Sequence, residues 1–154
     1  MSDTEIVFSR LVDKGFLNDE LYAEHYLEHC INNMKGPNYY NSELYKKRVQ
    51  TSIIEDNLVK YDFELQYDTL FRLFQKSVKK KQISYSKYKK QLMDKFMRSG
   101  FSIGVINEVL INNIEDLREA ADESAALAKD YEKIKHLSKD KVIQKLMQKG
   151  YNYG

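Results

Sequence analysis

Apolar side chains recur along most of this chain at the spacing of an amphipathic helix. One run falls at i, i+3, i+4, i+7 and i+11 and consists of Ala23, Tyr26, Leu27, Cys30 and Met34. A second run repeats that spacing with Tyr67, Leu70, Phe71, Phe74 and Val78. No segment of similar length alternates with the period of two that a strand requires. The pattern therefore predicts an all-α protein.

Glycine, proline and serine mark the predicted ends of these helices. Breaks fall at Gly15, Gly36-Pro37, Gly100 and Gly150, where glycine can adopt the left-handed conformation that follows a helix. Another break falls around Ser84, and Ser138, which precedes Lys139-Asp140, is a predicted N-cap. These signals predict seven or eight helices joined by short turns.

Three of the predicted helix ends share one sequence pattern. Each has an apolar residue, a variable one, two polar or basic ones, a turn residue and a second apolar residue, at 44–49, 96–101 and 146–151. We call these the signature turns; their offsets are 52 and 50 residues. After the turn, Ile53, Ile54 and Leu58 align with Val105, Ile106 and Leu110. Such self-similarity predicts an elongated, curved array of tandem three-helix repeats, built of helix-turn-helix-like units.

The signature turns also set the expected domain boundaries. We expect residues 1–15 to hold the last helix of a preceding repeat, with the first repeat at 16–60 and the second at 61–112. The third repeat would occupy 113–154. Because that segment stops directly after its signature turn, we expect it to lack its final helix.

Charge is distributed unevenly, although the formal net charge is only +2. Between Lys76 and Arg98, which we call the basic segment, nine basic residues accompany a single acid, Asp94. Lysines near phosphates release counterions, and interleaved tyrosines can stack on unpaired bases. We therefore predict a surface for DNA or for a protein filament on DNA, although a solvated helix face is the alternative. Its candidate residues are Lys46, Lys47, Arg48, Lys76, Lys79, Lys80, Lys81, Tyr85, Lys87, Tyr88, Lys89, Lys90, Lys95 and Arg98.

An acidic run follows the basic segment. Its members are Glu115, Asp116, Glu119, Asp122 and Glu123. Their spacing suits a contact with a basic protein surface. It also suits an exposed helix flank, or a segment whose negative charge balances the positive charge of the basic segment.

One motif raises a catalytic alternative. His25-Tyr26-Leu27-Glu28-His29 matches the H-x-x-E-H pattern of inverted zinc peptidases. On a helical wheel, however, both histidines and Glu28 point away from the apolar side, and His136 is the only histidine left for a third ligand. The chain has no phosphate-binding loop and no nucleophile elbow, and its single cysteine, Cys30, lies on an apolar stripe. We expect no catalytic residue, no metal and no cofactor.

Four segments, taken in order, resemble the RecX family. They are 15–23, Lys35-Gly36-Pro37 with the following Tyr40, Glu43 and Leu44, then 95–102, and finally 145–151. The resemblance as a whole spans roughly Thr4 to Tyr151. Arg48 departs from the family pattern, which usually has glycine there, and Tyr40 replaces a usual aliphatic residue.

The resemblance implies a regulator of DNA repair. It would bind RecA and the RecA filament on single-stranded DNA, and lower ATP hydrolysis, strand exchange and SOS signalling. We also expect direct contact with DNA. We expect a cytoplasmic monomer that is not an enzyme and does not contact a membrane, since no apolar run approaches a membrane-spanning length. The alternative is a helical-repeat nucleic-acid-binding protein that acts without a recombinase partner.

Overall fold

The computed structural model describes residues 3–6 and 19–151, and their regular structure is helical. Residues 3–6 are helical, and the helices from residue 19 to 151 are α1 (Asp19–Asn32), α2 (Pro37–Lys46), α3 (Thr51–Leu58), α4 (Phe63–Ser77), α5 (Tyr85–Arg98), α6 (Ile103–Asn112), α7 (Ile114–Ala120), α8 (Glu123–Ile134) and α9 (Lys139–Gln148). The all-α prediction is confirmed. Most of the helix predicted within 1–15, and the Gly15 turn, lie outside the described residues.

The prediction of seven or eight helices was too low, since nine occur between residues 19 and 151. The unexpected boundary is Asn113, the one residue that separates α6 from α7. Its side-chain amide donates to the carbonyl of Val109 at 2.8 Å and so satisfies the end of α6. No glycine, proline or serine marks this break in the sequence.

The first three helices enclose one apolar core. The predicted stripe of α1 is buried at Ala23, Tyr26, Leu27 and Cys30, which pack with residues of α2 and α3 that include Tyr40, Leu44 and Ile54. Met34 was assigned to this stripe, and that assignment is wrong. It lies beyond the end of α1 with a left-handed φ of 55°, and it packs against the second core.

The second core is formed by α4, α5, α6 and α7. Its fully buried members include Leu70, Phe96, Ile106 and Leu117. Leu117 lies in the segment 113–154 that was predicted as the third repeat. The start of that segment therefore packs with the helices before it, whereas α8 and α9 pack against each other.

The three signature turns have the same backbone conformation. The turn residue has positive φ in each case, 62° at Arg48 and 100° at both Gly100 and Gly150. The next amide donates to the carbonyl five residues earlier, joining Val49 to Leu44, Phe101 to Phe96 and Tyr151 to Leu146 at 3.1, 3.2 and 3.2 Å. The predicted glycine helix ends are thus confirmed at Gly100 and Gly150. At Gly36 the prediction is wrong, because Gly36 is the N-cap of α2 with a φ of −86° and the left-handed residue after α1 is Met34. The elongated, curved array of tandem repeats stays a prediction.

Two of these turns are docked on the start of another helix. The amides of Gly36 and Asn38, at the start of α2, donate to the carbonyls of Ser99 and Gly100 at 2.8 and 3.0 Å. At the start of α5, the hydroxyls of Ser84 and Ser86 donate to the carbonyls of Lys149 and Gly150 at 3.1 and 2.9 Å. The end of α9 therefore meets the start of α5, and the end of α5 meets the start of α2. We call these two contacts the end-to-end joints.

Candidate nucleic-acid and filament interface

The basic segment covers the end of α4, the loop 78–84 and α5. Helix α5 begins at Ser84, whose hydroxyl accepts from the amide of Lys87, as expected for a serine N-cap. Its buried stripe is Tyr88, Leu92 and Phe96, at i, i+4 and i+8. This packing turns most of the basic side chains outward. Lys76, Lys79, Lys80, Lys81, Lys87, Lys90, Lys95 and Arg98 are exposed, and Lys89 is half-buried.

Five of these cations line one groove between the loop and α5. They are Lys79, Lys80, Lys81, Lys95 and Arg98. Asp94 is the acid that shares this lining, and Lys81 Nζ donates to Gln91 Oε1 at 3.0 Å. A concave surface with this excess of positive charge suits a phosphate backbone or another polyanion.

Tyr88 does not have the role that the sequence suggested. The residue is only 5% exposed, so the prediction that its ring stacks on a base is wrong. Its hydroxyl donates to the carbonyl of Lys79 at 2.7 Å and accepts from the amide of the same residue at 3.0 Å. Tyr88 therefore ties the lysine loop to α5. Its spacing from Leu92 and Phe96 was the signal that could have identified it as a core residue.

Tyr85 is half-buried, and a cation of the same chain lies over its ring. The guanidinium carbon of Arg118 is 4.9 Å from the ring centroid, a cation–π distance. The Tyr85 amide donates to Glu123 Oε1 at 2.6 Å, so an acid from α8 caps the start of α5. Sequence reasoning missed Arg118. The sequence feature that could have identified it is that Arg118 is the one cation between Glu115 and Glu123.

The acidic run is attached to the basic segment by backbone hydrogen bonds. The Lys81 amide donates to the carbonyl of Ala120 at 2.9 Å, and the Asp122 amide donates to the carbonyl of Lys81 at 2.8 Å. Asp122 also caps α8 by accepting from the amide of Ala125. This arrangement favours the alternative in which the negative charge of the acidic run balances the positive charge of the basic segment. Glu115, Asp116 and Glu119 remain exposed.

The basic residues of the first signature turn lie apart from the groove. Lys46, Lys47 and Arg48 are exposed at the end of α2, whereas Arg98 is near the joint at the start of α2. The ten residues of α2 separate the two positions, by roughly 15 Å at the helical rise. Lys47 is also engaged within the chain. Its Nζ donates to the hydroxyl of Tyr22 at 2.6 Å and lies 4.7 Å from the ring centroid of Tyr26.

The zinc-peptidase alternative receives no support. His25 and Glu28 are exposed on α1, with 3.8 Å between Nδ1 and the carboxylate. His29 is directed toward Glu5, at 4.0 Å. Within residues 3–6 and 19–151, no cluster of three or more His, Cys, Asp or Glu could hold a metal ion. Cys30 is fully buried, and burial raises the pKa of its thiol to about 12, which disfavours the reactive thiolate.

The part of the chain that the structure describes contains no helix long and apolar enough to cross a bilayer.

Proteins of similar sequence and similar structure are known. No family model matches the sequence. Regulatory protein RecX of Bacillus cytotoxicus is 33% identical over 160 aligned positions, which cover 95% of this chain and 57% of that protein. Regulatory protein RecX of Listeria innocua is 28% identical, with coverages of 96% and 58%. The chain thus spans a little more than half the length of these curated relatives.

A solved structure has the same fold. The crystal structure of RecX from Lactobacillus salivarius superimposes with a TM-score of 0.55 and 27% sequence identity, and the match covers 70% of this chain and 71% of that one. The sequence relatives and the structural neighbour have the same name, RecX, which is also the family that the four sequence segments resemble. In sequence and in fold, this chain is similar to the RecX regulatory proteins.

Proposed function

We propose that this chain binds RecA and the RecA filament on single-stranded DNA, and that it thereby lowers recombinase, ATPase and SOS-signalling activity in the cytoplasm. The observation that carries this proposal is the exposed basic groove of α5 and the loop 78–84, in a chain that is similar to RecX proteins in sequence and in fold. The effect is regulatory and arises from binding alone. A protein of this kind modulates DNA repair without catalysing a reaction.

The groove supports the DNA side of this proposal. Five cations converge there with one acid, and each lysine that replaces a counterion on a phosphate adds affinity that does not depend on base sequence. A protein that spans neighbouring RecA subunits, with this groove near the DNA, blocks either filament growth or the subunit movements that ATP turnover needs.

The same groove favours one competing function, a helical-repeat nucleic-acid-binding protein with no recombinase partner. Such a protein would bind DNA or RNA with strong salt dependence. It would leave the ATPase activity of RecA unchanged at concentrations that do not cover the DNA. The two functions therefore differ in one readily measured activity.

The test is the single-stranded-DNA-dependent ATPase activity of RecA, titrated with this protein. We expect inhibition below one molecule per RecA subunit. We expect inhibition to be lost when five exposed lysines of the basic segment are changed to glutamate, namely Lys79, Lys80, Lys81, Lys87 and Lys90. The matched control reverses five exposed lysines of α8 and α9 and the turn between them, namely Lys129, Lys133, Lys135, Lys139 and Lys141, and should still inhibit. Intact DNA binding without inhibition by the unmodified protein would favour the competing function.

A further inference from the structure

A second cavity adjoins the basic groove. It has a volume of about 550 Å³ and lies between the start of α5 and the segment that runs from the end of α7 to the start of α8. This volume is within the range of ligand-binding clefts. Lys80 lines both cavities. We call the second one the polar cleft, and its charged and aromatic lining residues are Lys80, Tyr85, Arg118, Glu119, Asp122 and Glu123.

The border between the groove and the polar cleft is fixed by hydrogen bonds. The hydroxyl of Tyr88 bonds both the amide and the carbonyl of Lys79. Both main-chain groups of Lys81 bond the segment 120–122. Lys80 lies between these two attachments, so the backbone that separates the cavities is held in place before any ligand arrives.

The two cavities differ in charge. The groove has five cations and one acid, whereas the polar cleft has two cations and three acids. Three carboxylates repel a phosphate. They accept hydrogen bonds from N–H groups, because an ionised carboxylate is an acceptor only. The polar cleft therefore suits an uncharged group that is rich in N–H donors and is joined to a phosphate in the groove.

Arg118 gives the polar cleft a surface for a flat ligand. Its guanidinium carbon lies 4.9 Å from the centroid of the Tyr85 ring, and the side chain is exposed to solvent. The ring thus restricts the position of the guanidinium, which stays accessible. Proteins that bind single strands stack unpaired bases on aromatic rings and on guanidinium planes.

Glu119 is the carboxylate best placed to accept from such a base. The other two acids already cap helices, since Glu123 Oε1 accepts from the amide of Tyr85 and Asp122 Oδ1 accepts from the amide of Ala125. Glu119 is exposed and adjoins Arg118 in the sequence. A carboxylate next to a stacking surface can accept from the edge of the base that stacks there.

Guanine is the DNA base that matches this arrangement. Its N1–H and its 2-amino group are adjacent donors, which one carboxylate can accept together. Adenine and cytosine have a single amino group on the same edge, and thymine has one N–H between two carbonyls that a carboxylate would repel.

We propose that the polar cleft is a subsite for an unpaired guanine of a strand whose phosphates lie in the basic groove. The base stacks on Arg118, and Glu119 accepts from its N1–H and 2-amino group. This inference rests on the proposed function, in which the groove binds single-stranded DNA. It adds a preference for one base to a contact that is otherwise independent of sequence.

The test compares three strands that differ at one base. Labelled nine-nucleotide dT strands carry dT, dG or deoxyinosine at the centre, and deoxyinosine lacks the 2-amino group of guanine. Affinity for the full chain is measured by fluorescence anisotropy at one salt concentration. We expect the dG strand to bind at least about 5-fold more tightly than the all-dT strand, with the deoxyinosine strand between them.

Two conservative variants remove the proposed contacts. Arg118→Lys keeps the charge and loses the planar group, and Glu119→Gln keeps the size and loses the carboxylate. Each should abolish the preference for dG and change affinity for the all-dT strand by less than about twofold. The matched controls are Arg72→Lys and Glu115→Gln, which alter exposed residues outside the polar cleft and should retain the preference.

The outcomes separate this inference from the proposed function. If the protein binds none of the three strands, the DNA contact of the proposed function and the guanine subsite both fail. If it binds all three equally, the groove stands and only the subsite is refuted. A preference for dG that survives in both cleft variants, or is lost in the controls as well, would also overturn the assignment.

A free nucleotide is the other source of the same chemistry. Titration of the protein with GMP, followed by calorimetry, tests for it. Binding of GMP together with equal affinity for the three strands would make the polar cleft a site for a free nucleotide, and it would refute the assignment to a strand.

Discussion

At the scale of single residues, Arg48 stands in a backbone conformation that suits glycine. Its φ of 62° matches the left-handed turns at Gly100 and Gly150, and an L side chain there costs about 1–2 kcal/mol. We expect Arg48→Gly to raise the free energy of unfolding by about 1 kcal/mol, measured by urea denaturation. Lys46→Gly, in the last turn of α2, is the control and should lower it by a similar amount. Destabilisation by Arg48→Gly would contradict this account of the turn.

Gly100 is constrained by space as well as by its dihedral angles. Its φ is 100°, and an added Cβ would lie 2.6 Å from both the Cβ and the backbone nitrogen of Tyr39. We expect Gly100→Ala to lower the free energy of unfolding by about 2 kcal/mol or more, because the joint between α5 and α2 must separate. Gly104→Ala is the matched control. It lies in α6 with nothing within 4 Å of the new Cβ and should be neutral or stabilising, which chemical denaturation of both variants will show.

At the scale of helices, the end of α9 is attached to α8 through Asp130. The hydroxyl of Tyr151 donates to Oδ2 at 2.7 Å, and Lys149 Nζ lies 3.2 Å from Oδ1. The hydrogen bond from Tyr151, and then Lys149, lower the pKa of Asp130 below its ordinary value of 3.8. A lowered pKa in the folded state stabilises the protein above the unfolded-state pKa, and this stability is lost as pH falls through the folded-state value.

Asp130→Asn should therefore destabilise the protein at neutral pH and lose that effect in acid. The difference in free energy of unfolding between the two proteins should be constant above about pH 5 and shrink as the solution becomes more acidic than the unfolded-state pKa. Urea denaturation at several pH values measures this. A difference that does not change with pH would mean that the carboxylate charge has no part in the contact.

The helices also show where sequence reasoning works. The buried stripe of α1 up to Cys30, the helix break at Ser84, the cap at Ser138 and the turns at Gly100 and Gly150 depend on local spacing and backbone preference, and these were predicted. The start of α7 was not, because Asn113 ends α6 through a side-chain hydrogen bond that carries no strong sequence signal. Tyr88 was misassigned because a tyrosine among lysines was interpreted by its charged neighbours and not by its helical spacing.

At the scale of the whole molecule, the basic groove predicts salt-dependent binding of single-stranded DNA. If all five groove cations contact phosphates, the logarithm of the affinity should fall with the logarithm of the salt concentration with a slope of about −3 to −4. Anisotropy titrations with labelled poly(dT) between about 50 and 200 mM salt measure this slope. Changing Lys79, Lys80 and Lys81 to Glu should reduce its magnitude by about 2. An unchanged slope would place the DNA contact elsewhere.

The end-to-end joints could not be predicted from the sequence. The similarity of the segments 44–49, 96–101 and 146–151 was visible there, but the contacts at Ser99 and Gly100 are made by backbone carbonyls and amides. Nearly every residue has the same main-chain amide and carbonyl, so such contacts cannot be recognised from the pattern of side chains. The same holds for the hydrogen bonds between Lys81 and the segment 120–122.

The end-to-end joints also give the molecule a direction. In each joint the partial negative charge at the C-terminus of one helix meets the partial positive charge at the N-terminus of the next, so α9, α5 and α2 follow one another in a single sense. Within the described residues, the negative pole falls at the end of α2, beside Lys46, Lys47 and Arg48, and the positive pole falls at the start of α9, beside Asp140. The two ends of this series therefore have opposite partial charges, and each lies beside side chains of the complementary sign.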